Sequence, residues 1–329
     1  MRRRAFIRLI GGAATTWPLA VRAQQSGPTK RVGILMSTVD TDPLEISSVN
    51  AFIAELAKLG WVRGKNLELS VRWGATDIKR MKSNAEELVS VGADVILAKG
   101  AASPSASQAT TTIPIVFVSL PETIVPALVG SFSHPVGNIT GFTTYEHGLV
   151  GKRLGLIRDL SPRVSRVLYL RLRESSVPSQ PLLEQVKGDA RAAGLSVTDA
   201  PAQNAAEIES AIQAFAAAPD GALLIAFAAF TIIHRQTIVD ACARYKLPAV
   251  YPSRNHAGPE GLCSYGFDQE HQFREAASYV SRLLSGAKLS DLPVQTPTKF
   301  QLFLNLKTAK ALDLAISPGL LAAADEVTE

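Results

Sequence analysis

A run of small and hydroxyl-bearing residues follows a short apolar strand and opens a predicted helix. It comprises Gly100, Ala101, Ala102 and Ser103, which follow the strand Asp94–Ala98 after Lys99. Backbone N–H groups in the first turn of a helix lack intrahelical partners, so they can hold a carboxylate or another anion. Serine here is also a common helix cap, and both interpretations remain open. The chemistry predicted at this point is non-covalent binding of a small anionic or polar molecule.

Further candidate contacts follow other predicted strands, because ligands of parallel α/β sheets bind at the carboxyl ends of the strands. Arginines among them could pair with an acidic ligand group, or could instead be solvated or bridge two lobes. Phenylalanines could stack on an aromatic or apolar ligand, or pack in a core. The candidates are Ser37, Thr38, Ser119, Leu120, Arg171, Arg173, Phe227, Phe230, Arg254 and, within the strand Leu262–Phe267, Tyr265.

The sequence lacks the motifs that would predict catalysis. No G-x-S-x-G elbow and no phosphate-binding P-loop occurs, and no G-x-G-x-x-G follows the first strand, which reads Gly33–Thr38. The five histidines show neither an H-x-x-x-H spacing nor a cluster with cysteine. We therefore predict a binding protein rather than an enzyme, with no cofactor and no metal.

The elements that would position these residues occur twice in the same order. Residues 31–119 read as strand, helix, strand, helix, strand, helix, strand, and residues 166–253 repeat that pattern. The strands are short and apolar without alternation, which is typical of parallel sheets covered by helices on both faces. We predict an α/β fold of two Rossmann-like lobes with parallel sheets, and a ligand cleft between them.

Three segments are predicted to connect the lobes. Several short crossings act as a hinge, so that lobes open and close about one axis. The crossings are assigned to the strands in Pro135–Gly141, Leu262–Phe267 and Phe300–Leu306. The predicted division assigns residues 30–140 and 268–298 to lobe 1, and residues 141–267 and 299–329 to lobe 2.

Residues 1–23 have the three parts of an export signal. A basic segment precedes the weakly apolar Leu9–Val21 and the small-residue cleavage site Val21-Arg22-Ala23. Arg3-Arg4-Ala5-Phe6-Ile7 fits the twin-arginine pattern, although a general secretory signal or a basic tail would share these features. The apolar stretch is shorter than the about 20 residues that span a bilayer. We predict a soluble protein in the periplasm.

Export also changes the charge balance. The chain has 34 basic and 29 acidic residues, but five of the arginines lie within residues 1–23, which leaves 29 of each sign. A near-neutral chain gives no reason to expect a nucleic acid partner.

The two cysteines, Cys242 and Cys263, could form a disulfide in an oxidising compartment or remain buried thiols, and their spacing leaves both open.

A set of motifs spread over nearly the whole chain occurs in a characteristic order: Arg3–Gln25, Trp61–Asn66, Thr112–Phe117, Pro135–Gly141, Gly261–Gly266, Leu292–Phe300 and Asn305–Leu312. In this combination the chain resembles the ABC-transporter substrate-binding proteins of the tryptophan/tyrosine-binding type. The resemblance implies a type I periplasmic binding fold with three crossovers, closure on a small ligand, and docking to a membrane permease. Better-understood members of that family bind aromatic amino acids in the strand-end loops.

The chain departs from that family where the ligand would bind. Leu120-Pro121-Glu122-Thr123 stands where a loop like Gly-Asp-Pro-Val is usual, and Ala226–Phe230 where an Asp-Pro pair is usual. Arg171 and Arg173 occupy a region where asparagine is common. Fewer acidic groups and more arginine favour an acidic or apolar-acid ligand over an amino acid zwitterion.

The resulting hypothesis is a monomeric periplasmic component of an ABC importer that captures a small organic ligand, an amino acid or an organic acid, by closing its lobes. Two alternatives stay open at this point. The same fold could sense a ligand for a membrane signalling protein, or an exported enzyme could use the cleft.

Overall fold

Two sheets of mainly parallel strands form the framework of the chain, one in each lobe. The computed structural model describes residues 29–173 and 180–329, so the predicted export signal lies outside the described residues. The strands are β1 (Lys30–Met36), β2 (Leu67–Trp73), β3 (Val95–Lys99), β4 (Ile115–Leu120), β5 (Ile139–Thr143), β6 (Arg166–Leu172), β7 (Ser196–Ala202), β8 (Gly221–Ile225), β9 (Ala249–Tyr251), β10 (Cys263–Phe267), β11 (Phe300–Asn305) and β12 (Glu326–Thr328).

The first sheet has the order β2-β1-β3-β4-β5, and all its strand pairs are parallel. The second has the order β12-β11-β10-β9-β8-β6-β7, with β10 and β11 antiparallel. Every residue of β3, β4 and β8 is buried, because helices cover both faces of these sheets. The two-lobed α/β fold predicted from the repeated pattern is confirmed.

Helices connect the strands and cover the sheets. Asp42 and Asp77 cap the first two helices, because their side chains accept hydrogen bonds from the free N–H groups of the first turn. The helices are α1 (Pro43–Lys58), α2 (Ile78–Ser90), α3 (Ala102–Ala109), α4 (Val125–Val129), α5 (Glu146–Leu160), α6 (Gln180–Ala192), α7 (Ala205–Ala216), α8 (Ala229–Ile233), α9 (Arg235–Arg244), α10 (Arg254–Ala257), α11 (Gln269–Leu284), α12 (Leu306–Ala311) and α13 (Pro318–Ala322), with a 3₁₀ turn at Leu289–Asp291.

Three crossovers join the lobes. The chain passes from β5 of the first sheet to α5 of the second lobe, and returns from β10 to α11, which packs along α1 of the first lobe. It crosses again before β11, which pairs with β10. Asp268 lies on the second crossover and accepts hydrogen bonds from Lys299 Nζ (2.9 Å) and Gln301 Nε2 (3.2 Å), so that it ties the second crossover to the third.

Cys242 and Cys263 are both free and buried. They lie on opposite faces of the second sheet, because Cys242 packs in the cluster around Leu168 and Leu170 and Cys263 in the cluster around Val167. The two thiols pack in different core clusters and are not paired in this structure. Burial raises the pKa of each thiol to about 12.

The segment between β4 and β5 contains one short helix, α4, which covers Val125–Val129. The helix ends at Gly130, which adopts φ +69°, and Pro121 lies in the loop that precedes it.

Within residues 29–173 and 180–329, no helix combines the length and the apolar character that crossing a bilayer requires.

Candidate ligand-binding cleft

A cavity of about 120 Å³ lies between the two lobes, at the carboxyl ends of their parallel strands. Both lobes contribute residues to its lining. Among the described residues, every polar side chain of the lining belongs to the first lobe, and the second lobe contributes only apolar side chains. The first lobe supplies Ser37, Thr76, Ile78, Met81, Lys99, Gly100, Ala101, Ser119 and Pro121, and the second lobe supplies Leu172, Phe227, Ala228, Ala229, Phe230 and Ile232.

Six of the residues predicted from the sequence line this cavity: Ser37, Gly100, Ala101, Ser119, Phe227 and Phe230. Two of them, Gly100 and Ser119, have backbone φ angles in the left-handed region. Gly100 adopts φ +52°, and Ser119 adopts φ +55°, a region that non-glycine residues rarely occupy. Gln272 of α11 holds Ser119 there, because its Oε1 accepts from Ser119 N (2.8 Å) and Oγ (3.0 Å).

Four other candidates of the first lobe lie behind the cavity wall. Thr38 is fully buried, and its hydroxyl donates to Glu45 Oε2 at 2.9 Å. Ser103 Oγ donates to Ala98 O at 3.2 Å, so that the serine bonds to backbone rather than to a ligand. Ala102 and Leu120 pack in the apolar core of the lobe. The segment after β3 thus contributes Gly100 and Ala101 to the lining, but not the two residues that follow.

The three candidate arginines are not part of the described cavity lining. Each pairs with a carboxylate of its own lobe. Arg171 binds Asp199 through two hydrogen bonds of 2.7 Å, because β6 and β7 are neighbours and place both side chains on one face. Arg173 donates to Glu207 at 2.7 Å. Arg254 donates to Glu326 at 3.0 Å, with its guanidinium 3.8 Å from the centre of the Phe303 ring.

Tyr265 also lies outside the cavity lining. Its ring stacks on Phe300 of the neighbouring strand, with the ring centres 6.2 Å apart and the planes inclined by 22°. The antiparallel pairing of β10 and β11 brings the two rings together at the crossovers. Its contacts are therefore those of a residue at the crossovers between the lobes. Tyr251, a further aromatic at a strand end, is buried in the core of the second lobe.

A buried charged network beside the cavity was missed from the sequence. Lys99 lines the cavity and donates to Glu45 Oε2. Glu45 is fully buried, and its Oε1 accepts from Asn255 Nδ2 (2.9 Å) and Gln269 Nε2 (3.0 Å). Burial alone would raise the pKa of Glu45, but the charge and hydrogen bond of Lys99, with the two amides, outweigh it and lower the pKa to about 2. Glu45 is therefore ionised near neutral pH.

The position of Glu45 in the sequence could have indicated a buried, paired carboxylate. It precedes Val49, Phe52 and Leu56 on the buried face of α1, at helical spacing. A carboxylate on an otherwise apolar face is almost always paired. That signal indicates a buried partner without saying which residue supplies it.

Polar contacts connect the lobes on this side of the cleft. Asn255 of the second lobe donates to Glu45 of the first. Arg235 donates to Asp42 Oδ2 at 2.7 Å, while Asp42 Oδ1 caps α1. Closer to the hinge, Glu122 of the first lobe accepts from the N–H group of His147 (3.0 Å), in the first turn of α5. The described form thus has its lobes in direct contact.

His256 lies next to this network. Its ring centre is 4.7 Å from that of Phe227, and Nδ1 is 2.7 Å from Ser253 Oγ. The ring is fully buried, and Nε2 has no hydrogen-bond partner among the described residues. Burial, and next the charge of Lys99, lower the pKa of His256 well below its usual value. His256 is therefore a neutral side chain behind the apolar wall.

The fold and the cleft define a class of protein, and comparison with known families agrees. The profile of the family described as ABC transporter substrate binding protein matches residues 32–328. The chain belongs to the family of ABC transporter substrate-binding proteins, which are binding proteins rather than enzymes. The resemblance inferred from the motifs is thereby confirmed.

Individual relatives are similar over most of their length. A tyrosine-binding protein of Clostridioides difficile (strain R20291) is 25% identical over 287 residues, which cover 87% of this chain and 81% of that protein. The structure of an ABC domain from Streptococcus pneumoniae in complex with L-Trp has a TM-score of 0.82 at 22% identity, covering 91% of this chain and 99% of that one. A conserved domain protein from Vibrio cholerae has a TM-score of 0.83 at 23% identity, covering 91% and 100%.

Proposed function

We propose that this chain is the exported, monomeric solute-binding component of an ABC importer. It captures a small organic ligand, an amino acid or organic acid with an aromatic or apolar portion, in the cleft between its lobes. Closure of the lobes then presents the loaded protein to a membrane permease. Family membership supports the transport role, and residues 1–23, which have the features of an export signal, support a periplasmic location.

The observation that carries this proposal is the two-sided cavity. Its first-lobe wall has hydroxyl groups and an ammonium group, and its second-lobe wall has Phe227 and Phe230. A ligand with a polar end and an apolar end satisfies both walls only when the lobes meet around it. The tyrosine-binding and L-Trp-binding relatives have ligands of that shape, which further supports the proposal.

The structure suggests how closure would be stabilised. The Arg235–Asp42 and Asn255–Glu45 contacts join the lobes, so opening the cleft breaks them. Closure around a ligand excludes water, and the lower local dielectric strengthens these polar contacts and those to the ligand. The ligand therefore shifts the population towards the closed form by binding to both lobes at once.

A bulky residue in the cavity tests this assignment. Ala229 lines the cavity at the start of α8, whereas Ala214 is exposed on α7 of the same lobe. We expect native mass spectrometry of protein isolated from its own periplasm to show one bound small molecule in the wild type and in Ala214→Trp. The Ala229→Trp variant should contain none, because the indole occupies the ligand's space. Retention of the same molecule by Ala229→Trp would contradict a ligand in this cleft.

A further inference from the structure

We infer that the ligand of this cleft is an organic anion with an aromatic or apolar group and without an ammonium group. This inference rests on the proposed function, because it names the ligand class of the same cleft. Such a ligand differs from an amino acid in that it lacks the positively charged ammonium group. The residues that carry it are Lys99 and the carboxylates around it.

Lys99 supplies a cation with free hydrogen-bonding capacity at the cavity wall. Its side chain is only 3% exposed, yet it belongs to the lining. Among the described residues its Nζ has one hydrogen-bond partner, Glu45. An ammonium group has three N–H donors, so two of them remain available to a group in the cavity. A carboxylate there would form charge-assisted hydrogen bonds, which are about twice as strong as neutral ones.

No carboxylate belongs to the described lining, and Glu45, the described carboxylate that binds Lys99, already accepts hydrogen bonds at both of its oxygens. Each oxygen of Glu45 accepts two hydrogen bonds: Thr38 and Lys99 donate to Oε2, and Asn255 and Gln269 donate to Oε1. A ligand ammonium would have to displace one of these donors. The carboxylate is also fully buried behind the wall.

Acids of the described residues at the edges of the cleft also accept hydrogen bonds from other groups. Asp77, between the lining residues Thr76 and Ile78, caps α2 by accepting from the N–H groups of Lys79 and Arg80. Asp42 caps α1 with one oxygen and binds Arg235 with the other. Glu122 accepts from the first N–H groups of α5, at Glu146 and His147. A carboxylate at a helix N-terminus is favoured by the free N–H groups and by the helix dipole, so it is not readily released.

A ligand ammonium would therefore be poorly accommodated. It would lose its hydration on closure, would gain no carboxylate from the described lining, and would lie in the same small cavity as the ammonium of Lys99. A carboxylate has the opposite balance, because it can accept from the N–H donors of Lys99, which lines the cavity, whereas the Glu45 carboxylate that compensates Lys99 lies behind the wall. The apolar wall around Phe227, Phe230 and Ile232 then accepts a ring or a branched chain.

Matched compounds isolate the effect of each charge on binding. Three series share a ring and a chain: 3-phenylpropanoate, L-phenylalanine and phenethylamine; 3-(4-hydroxyphenyl)propanoate, L-tyrosine and tyramine; and indole-3-propanoate, L-tryptophan and tryptamine. Isothermal titration with ligand-stripped protein should show, in at least one series, that the propanoate binds about tenfold or more tightly than the amino acid. The amines should not bind measurably.

Variants of the buried pair provide a second measurement. In a protein with both Lys99→Met and Glu45→Gln, the cation is lost without leaving a buried unpaired charge, so the fold is retained. We expect its affinity for the preferred propanoate to fall about tenfold or more, while circular dichroism and thermal unfolding remain cooperative. The largely exposed Lys187–Glu184 pair of α6 provides the control, because a protein with both Lys187→Met and Glu184→Gln should retain the wild-type affinity for the propanoate.

The outcomes separate this inference from the proposed function. An amino acid that binds more tightly than its propanoate would overturn the inference, while the importer assignment would stand. Unchanged propanoate affinity in the double variant would also overturn it. Binding by none of the nine compounds would overturn the inference and would also contradict an aromatic ligand in the proposed function, whereas lobe closure is tested separately.

Discussion

Replacing Lys99 with methionine should lower the free energy of unfolding by about 3–5 kcal/mol at neutral pH, because removal of one partner from a buried ion pair leaves the other charge uncompensated. Glu45 is fully buried, and Lys99 is the cation that compensates it. The remaining donors, Thr38, Asn255 and Gln269, are neutral. Urea unfolding followed by circular dichroism measures the difference.

A double variant is the control. When Glu45→Gln is combined with Lys99→Met, no buried charge remains, and replacing both partners of a buried pair is often close to neutral. We therefore expect the double variant to regain more than half of the lost stability. If the double variant were less stable than Lys99→Met alone, uncompensated charge would not be the cause.

The pH dependence of the same pair provides a further check. The pKa of Glu45 is lowered from 4.5 to about 2 in the folded protein. Because the folded pKa is the lower one, ionised Glu45 stabilises the fold above pH 4.5, and this contribution is lost as the pH falls towards 2. The difference in stability between the wild type and Lys99→Met should shrink over that interval. A difference that stays constant from pH 7 to pH 2 would contradict the pairing.

Replacing Gly141 with alanine should destabilise the protein by about 3 kcal/mol or more, because overpacking is most costly where backbone cannot move aside. Gly141 lies in β5, directly before the first crossover, and adopts φ +151°. A Cβ atom there would lie 2.0 Å from Phe117 O and 2.6 Å from Phe117 N, on the paired strand β4. Thermal and urea unfolding report the loss.

Gly188 provides the matched control for this substitution. It is exposed in the middle of α6, and a Cβ atom there has no neighbour within 4 Å. Gly188→Ala should stabilise the protein by about 0.5–1 kcal/mol, since alanine is the better helix former. Equal stability of Gly141→Ala and the wild type would show that β4 and β5 are not packed as described.

The sequence was sufficient to predict the architecture and the position of the cleft. Continuous apolar strands alternating with amphipathic helices require parallel sheets, and parallel sheets place their carboxyl ends, and thus Ser37, Gly100 and Ser119, at one edge. Phe227 and Phe230 follow from the same rule in the second lobe. Local patterning determines these features, so no knowledge of long-range contacts is needed.

The partners of charged side chains could not be predicted in the same way. Arg171 follows a strand end, but its role depends on Asp199 of a neighbouring strand, and thus on strand order and register. Asn255 and Glu45 are 210 residues apart and meet only because the fold brings the two lobes into contact. Such contacts depend on tertiary geometry, which hydrophobic periodicity does not encode.

Small-angle X-ray scattering, with and without the ligand, tests lobe closure most directly. The molecule that native mass spectrometry identifies would be added back to ligand-stripped protein at saturating concentration. We expect the radius of gyration to decrease and the scattering profile to become that of the described form, in which Arg235 contacts Asp42 across the lobes. A radius of gyration that does not change at saturation would contradict capture of the ligand by closure.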